Sequence, residues 1–419
     1  AETFAGLEER DRQVMEFLKA VSSSEALAMI NSFRADPEKE TVAINDALHR
    51  ILAEDILSPE DIPPFPRSLV DGFALKVKDI QGAKETAPLF LYVQGEIRIG
   101  EAASVELEDG KCVYLTTGAM IPEGADGVVM QEFVRAAGDA IEVTKTLHRG
   151  ENICFRGEDI AKGAVILKKG GRLSPFDIGA LSGIGRPAVP VYKLPVAGVI
   201  STGDEIVPVE EAPPFGKIRD INGHTIANLL KGNGAACTFF GIGKDSVGSI
   251  AEKLQLARAS DLIILSGGSS KGQRDYMADA ITRLGGEILF HGINIKPGKP
   301  TIFGKLWGKP VFGLPGHPNS CAMVMMRFVL PLLRKLKGEE GYREKKAAGI
   351  LSTNIPSTSG IEEYVKVTVR EVDGDRYVSP VFSKSSAISS FVGASGYVIV
   401  PEGKDGYEKD ERVEVYLFE

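Results

Sequence analysis

PVAGVISTGDE, residues 195–205, is a short apolar run that stops in a small-residue loop carrying two carboxylates. The run PVAGVI (195–200) is too short for a free-standing helix, and its Val and Ile suit a strand buried on both faces. Two further runs repeat the pattern: DLIIL (261–265) leads into SGGSSKG (266–272), and PVFGL (310–314) leads into PGHPNS (315–320). Helical patterns come after them, over 223–230, 246–257, 276–284 and 321–337. Strand, loop and helix in repetition predict a doubly wound α/β unit with parallel strands.

In such a sheet the ligand lies outside the carboxyl ends of the strands, where loops meet helix N-termini. Gly267, Gly268 and Gly316 let backbone N–H groups approach an anion, and each helix start adds about 0.3–1 kcal/mol. One Gly-rich loop can simply turn the chain; three on one edge point to a ligand. The same edge is expected to carry Asp204, Glu205, Asp245 and Asp275, with Lys296 and Lys299 in IKPGKP (295–300). Carboxylates beside a phosphate repel it, by about 4 kcal/mol at ~4 Å and an effective dielectric of about 20. A divalent cation removes that conflict, and Mg²⁺ held by one or two carboxylates plus phosphate oxygens is the expected arrangement. The two lysines would hold a further anion as point charges. The loop at 266–272 lacks the G-x-x-x-x-G-K-[ST] spacing, so it is not a P-loop.

These loops have company elsewhere in the chain: VDGFA (70–74), LTTGA (115–119) followed by PEGAD (122–126), and RGEDI (156–160). With STGDE (201–205), SGG…DY (266–276), INIKPGKP (293–300) and GLPGHP (313–318), they resemble the molybdopterin molybdenumtransferase family, which includes the C-terminal domain of gephyrin. Any one motif is weak; seven in the family's order, spread from about 22 to 419, are specific. The resemblance implies an enzyme that takes adenylylated molybdopterin and molybdate, releases AMP with the help of Mg²⁺, and inserts the metal into the dithiolene. It implies that Asp245 and Asp275 hold the cation, and that Asp71, Thr117, Asp159 and Glu205 are further functional positions around the pterin pocket. Substrate contacts are expected from Ser201, Thr202, Gly203, Asp204, Gly267, Gly268, Ser270, Pro315 and Gly316. Oxyanion contacts are expected from Lys296, Lys299, Pro300, Ser320, Lys366 and Ser385.

The chain departs from the family's pattern at several of these positions. Lys366 stands where an arginine is usual, and the two are not equivalent for bidentate oxyanion binding. His317 replaces an asparagine, Ser269-Ser270-Lys271 replaces Val-Ser-Val or Val-Ser-Met, and Leu69 and Val70 replace Ala and Met before Asp71. Such changes leave two alternatives open: a paralogue acting on tungstate, or a non-catalytic molybdopterin-binding scaffold. The resemblance also implies a head-to-tail homodimer in which the partner's Asp71 and Thr117 complete the site. Molybdopterin adenylyltransferase and molybdoenzyme apoproteins are the protein partners it implies.

Composition bounds the rest. The 419 residues are 43% hydrophobic and 25% charged, those of an ordinary globular protein of two to four domains. A net charge of −8 gives no basic footprint for nucleic acid. Four scattered cysteines, with no C-x-x-C pair, argue against a disulfide framework or zinc site and for a reducing compartment. No signal peptide and no apolar run near 18 residues is evident, so a cytoplasmic location and no membrane span are expected. The start at Ala1 rather than Met reads as a trimmed chain.

Helices are expected over 8–21, 25–33 (capped by Ser23 or Ser24), 44–53 and 175–182. Four prolines within 59–66 read as a domain crossing, and Asp71-Gly72 as a turn. From 89 to 143 the texture is β, with a hairpin turn at Gly138-Asp139, and after a charged linker at 337–348 it is β again to the end. The expected architecture is therefore multi-domain α/β plus β. A central doubly wound α/β molybdopterin-binding domain spans 193–340, and an elongated mixed N-terminal domain takes 1–60 and 149–192. A β-rich insertion domain fills 61–148 and a small C-terminal β-barrel 346–419. That 149–192 returns to pack with the first segment comes from the resemblance alone.

Overall fold

The computed structural model describes residues 20–267, 275–384 and 386–418. Its centre is a six-stranded sheet in the order Ala236–Gly243, Val196–Thr202, Leu262–Ser266, Lys309–Leu314, Ile302–Leu306, Glu287–His291. The first four are parallel, and the last two extend the sheet as antiparallel neighbours. The Leu262–Ser266 strand is buried at every position because helices cover both faces. Leu262 and Ile264 pack with the Asn222–Gly232 and Pro318–Val324 helices, whereas Ile263 and Leu265 pack with Val247–Leu256 and Tyr276–Arg283. Each such buried side chain contributes roughly 1.5–3 kcal/mol relative to exposure, so the period-2 alternation fixes the register.

Helix starts follow the caps. Ser246 caps Val247–Leu256, Asp275 caps Tyr276–Arg283, and Ser22 forms a capping box with Glu25 at Ser23–Ser32, one residue ahead of the expected caps. The helix expected over 321–337 begins earlier, at Pro318, and is interrupted by a π turn at Met325–Val329 before Leu330–Leu336. Pro331 has no N–H for the carbonyl of the turn below it, and the wider turn accommodates that loss. The helix expected over 8–21 lies outside the described residues up to Lys19, and Val21 is extended, bridging to Ile293.

The helix expected over 44–53 is a misreading. Only Ile44–Asp46 turns, as a 3₁₀ segment, and His49 has a φ of 64°. Tertiary pairing overrides the apolar period: Leu52 N donates to Gly171 O, Leu173 N to Arg50 O, and Tyr192 N to Ile51 O. Nor is Asp71-Gly72 a turn, since Gly72 opens the Gly72–Leu75 strand. A Cβ at Gly72 would lie 1.9 Å from Val129 O, so close pairing of strands is what requires the glycine.

Gly72–Leu75 belongs to a second six-stranded sheet in the order Gly127–Met130, Gly72–Leu75, Lys111–Leu115, Lys84–Ile97, Ala140–Lys145, Val134–Ala137. Gly138, with a φ of 67°, makes the expected hairpin turn with Asp139. On either side of this sheet the chain is stitched to itself. Lys39–Ala43 pairs with Ala188–Tyr192, Ile56–Leu57 with Val165–Leu167, and Arg67–Ser68 with Ile153–Cys154.

At the C-terminus five strands close into a barrel: Glu362–Val372, Asp375–Pro380, Lys346–Leu351, Arg412–Leu417 and Gly396–Val400, with the last pairing back to the first. Ile295–Lys296, from the α/β unit, adds in parallel beside Glu362 and Glu363. Along Glu362–Val372, Val365 and Val367 fill the barrel, while Tyr364 faces outward into the α/β core. Among the described residues no helix is long and apolar enough to cross a membrane.

Candidate functional site

Strand registers align the carboxyl ends of the central sheet. Ser201 is level with Ser266, Ser266 with Leu314, and Thr202 with Gly243. Ile302 is level with both Gly313 and His291, so Asp204, Glu205, Asp245, Asp275 and Lys299 all issue from this one edge.

The acids sort into two groups. Asp204 N donates to Asp245 Oδ2 at 3.4 Å, and Asp245 N donates to Asp204 Oδ1 at 3.3 Å, which locks the two strand-end loops face to face. Burial raises the Asp245 carboxyl above its ordinary range, and repulsion from Asp204 and Glu205 adds to it. Among the described residues no lysine or arginine side chain pairs with either carboxylate; Lys217 Nζ donates instead to the Asp204 carbonyl, at 2.6 Å. Asp275 is engaged differently. Its Oδ1 accepts from Met277 N and Ala278 N, and its Oδ2 meets His291 Nε2 at 2.9 Å. Burial works to raise its pKa, but His291 and the two helix amides outweigh that and hold it low.

Beneath the edge lies a buried polar layer. Ser201 Oγ donates to Asp220 Oδ2 at 2.7 Å, and Gly223 N donates to Asp220 Oδ1. Asn222 Nδ2 reaches both Ser266 Oγ and Gly316 O at 2.8 Å. Thr202 Oγ1 and Asn222 Oδ1 are buried without a hydrogen-bond partner, a costly state that a bound donor would relieve. Gly267, expected to offer its amide, gives it to Leu314 O, and Gly203, expected as a substrate contact, gives its own to Gly243 O. Gly267 is needed for another reason, since a Cβ there would lie 2.1 Å from Thr202 O. Gly316 and His317 are exposed, Pro315 is buried, and His317 precedes the Pro318–Val324 helix without a side-chain cap.

The oxyanion residues are divided as well. Lys296 Nζ is 2.9 Å from Glu363 Oε1, so its charge is already matched within the barrel seam. Lys299 is exposed, and among the described residues its ammonium has no partner; Pro300 beside it is half-buried. Gly298 brings this segment against the helix that bears Ser320, since a Cβ there would lie 2.7 Å from Val324. Lys366 is 7% exposed, on the outward face of its strand, and donates to Ser390 Oγ and Ser383 Oγ. Desolvation lowers its pKa from the ordinary 10.5 to about 8. Gly268, Ser269, Ser270, Lys271 and Ser385 lie outside the described residues.

Asp71 and Thr117 form a separate pair in the second sheet. Thr117 N and Oγ1 both donate to Asp71 Oδ1, at 2.6 and 2.9 Å, which lowers that carboxyl's pKa. Leu69 is exposed beside them, and Val70 packs into the core of this sheet. Asp159 is exposed on a turn held by Ile62, next to the Arg156–Asp61 ion pair. Among the described residues no hydrogen bond joins Asp71, Thr117 or Asp159 to the α/β edge. Sequence reading missed Asp220, Asn222, His291, Asn319 and Ser390. The D-x-N before a helix start was a visible cue for the first two; nothing local marks the others.

Comparison with known proteins covers nearly the whole chain. Residues 21–185 match the MoeA N-terminal region (domain I and II), 198–335 a probable molybdopterin binding domain, and 348–418 the MoeA C-terminal region (domain IV). A molybdopterin molybdenumtransferase of Bacillus subtilis is 33% identical over 94% of this chain and 93% of its own. A molybdopterin biosynthesis protein of Methanocaldococcus jannaschii is 35% identical over 90% and 91%. The crystal structure of a molybdopterin biosynthesis MoeA protein from Pyrococcus horikoshii superposes with a TM-score of 0.84, at 34% identity, over 96% of this chain and all of that one.

Proposed function

Because the chain belongs to the MoeA family of molybdopterin molybdenumtransferases, transferases of molybdenum cofactor biosynthesis, we propose that it inserts molybdate into adenylylated molybdopterin and releases AMP. The observation that carries this reading is the Asp204–Asp245 pair, two carboxylates locked together at a sheet edge and, among the described residues, paired with no lysine or arginine side chain. A phosphoanhydride could not approach that pair unaided.

The donor set fits Mg²⁺. Among the described residues no three or more His, Cys, Asp or Glu side chains converge on one point. A hard cation there would keep part of its water shell and take two carboxylates plus phosphate oxygens, the usual habit of Mg²⁺. Asp245 and Asp204 would hold it; Asp275, expected to share the ion with Asp245, meets His291 instead and would have to move to join as a third ligand. The bound ion would neutralise the charge that builds on the bridge as AMP departs. The chain's own residues do the rest. Thr202 Oγ1 and Asn222 Oδ1 accept N–H donors from the pterin end. Lys299 and Lys366 attract the metal oxyanion, and Ser320 is buried in the first turn of the helix against which the Lys299 segment packs. We also read the protein as a head-to-tail homodimer in which Asp71 and Thr117 of the partner subunit complete the pocket.

Incubating the protein with adenylylated molybdopterin, molybdate and Mg²⁺, and following AMP by chromatography, tests the reading. AMP release that depends on both Mg²⁺ and molybdate is expected; none at all rejects it. Replacing molybdate by tungstate in the same assay decides which oxyanion is preferred.

A further inference from the structure

Lys366 is a buried ammonium whose acceptors among the described residues are neutral hydroxyls: Ser390 Oγ at 2.8 Å and Ser383 Oγ at 3.2 Å. The Phe391 ring centroid lies 4.8 Å away. Among the described residues no carboxylate pairs with it. A fold that needed only a packed junction would do as well with an apolar side chain, because a buried charge without a counter-ion is costly. The charge is therefore held for something that arrives.

The way it is held is specific. Ser390 Oγ has one proton; while accepting from Lys366 it donates to Asn319 Oδ1 at 3.0 Å, or to Ala387 O at 2.6 Å. Asn319 is 1% exposed, and its Nδ2 donates to Lys384 O at 2.8 Å, which turns its Oδ1 toward Ser390. Asn319 thus grips the barrel at two points, Lys384 and Ser390. It sits next to Ser320 in the Pro318–Val324 helix, against which the Lys299 segment also packs. One short helix therefore links both lysines that the site presents to an anion.

We propose that Asn319 and Ser390 are positioning residues: they brace the Lys366 ammonium at the seam between barrel and α/β unit, and molybdate is captured only while that brace is made. This rests on the molybdate-insertion reading, and it adds two residues and a requirement for barrel docking. Neither side chain need touch the oxyanion; each acts through Lys366.

Titrating molybdate calorimetrically into the full-length protein, at several pH values and alongside the AMP-release assay, tests the brace. Ser390→Ala is expected to weaken molybdate binding about tenfold or more, the effect of one lost hydrogen bond to a charged group. It should raise the molybdate KM more than it lowers kcat, and move the alkaline loss of binding to lower pH, because Lys366 loses an acceptor that favours its charged form. Ser390→Thr, which keeps the hydroxyl, should restore all three, and Asn319→Ala should mimic the loss. If wild type binds molybdate and both alanine variants bind it equally well with an unchanged pH limb, the brace is refuted even if their melting temperatures fall. If wild type binds molybdate but releases no AMP, the insertion reading fails, and the variants' affinities still decide the brace. Absence of molybdate binding in wild type overturns the brace as well.

Discussion

At the scale of single residues, Lys366 has the clearest pH signature. Folding lowers its pKa from the ordinary 10.5 to about 8 by desolvation, so between those values the unfolded chain binds the proton that the native chain releases. Stability linked to this group therefore rises with pH across that window, while the charge available to an oxyanion falls. Molybdate affinity is expected to hold below pH 8 and to drop about tenfold per unit above it. Lys366→Arg should carry binding to higher pH because a guanidinium stays protonated. Tyr397, opposite Lys366 in the barrel, is buried and its pKa is pushed up, so it does not titrate in that window. Gly267 makes a second prediction. Its φ of 143° and the 2.1 Å approach of a would-be Cβ to Thr202 O mean that Gly267→Ala costs about 1–3 kcal/mol, read as a lower urea midpoint. The sequence marks both residues but not how the fold holds them. Gly267 was expected to free its amide and instead lets two strands close up. Lys366 is legible as an expected oxyanion contact in an arginine's place, but its burial is not, because that depends on serines of the barrel that no local pattern reveals.

Among elements, the Tyr276–Arg283 helix links local code to chemistry. Asp275 caps it and also meets His291, which lies at the end of an antiparallel strand absent from the sequence reading. Asn caps helices about as well as Asp, so Asp275→Asn is expected to leave the melting temperature nearly unchanged while abolishing AMP release. Asp275→Ala should lose the cap too, at about 0.5–2 kcal/mol. A large fall in thermal stability for the Asn variant would mark the residue as structural instead. The strands that were legible, Val196–Thr202, Leu262–Ser266 and Lys309–Leu314, are buried nearly throughout and read as unbroken apolar runs. Ala236–Gly243, at the sheet's edge, is mostly half-exposed and gave no such run. The segment around 44–53 shows the opposite failure: its apolar spacing is helical, yet its backbone groups are claimed by residues more than a hundred positions later.

For the whole molecule, the homodimer that the family resemblance implies would bring the partner subunit's Asp71 and Thr117 to the α/β edge, to which no hydrogen bond joins this chain's own pair among the described residues. Light scattering after size-exclusion should give twice the 44.9 kDa chain mass at micromolar concentration. A mass of one chain would break the shared-site reading. Chain order conveys the barrel and the sheets, but not which distant segments meet; only long-range pairing decides that. One such meeting constrains any attempt to exchange parts between relatives. Since Ile295–Lys296 is stitched beside Glu362 and Glu363, and Tyr364 is lodged in the neighbouring core, the barrel is not a detachable cassette. A graft cut at the charged stretch before it would leave an orphan strand behind and a bare tyrosine in front, so a working chimera must carry the KPGKP segment across together with the tail.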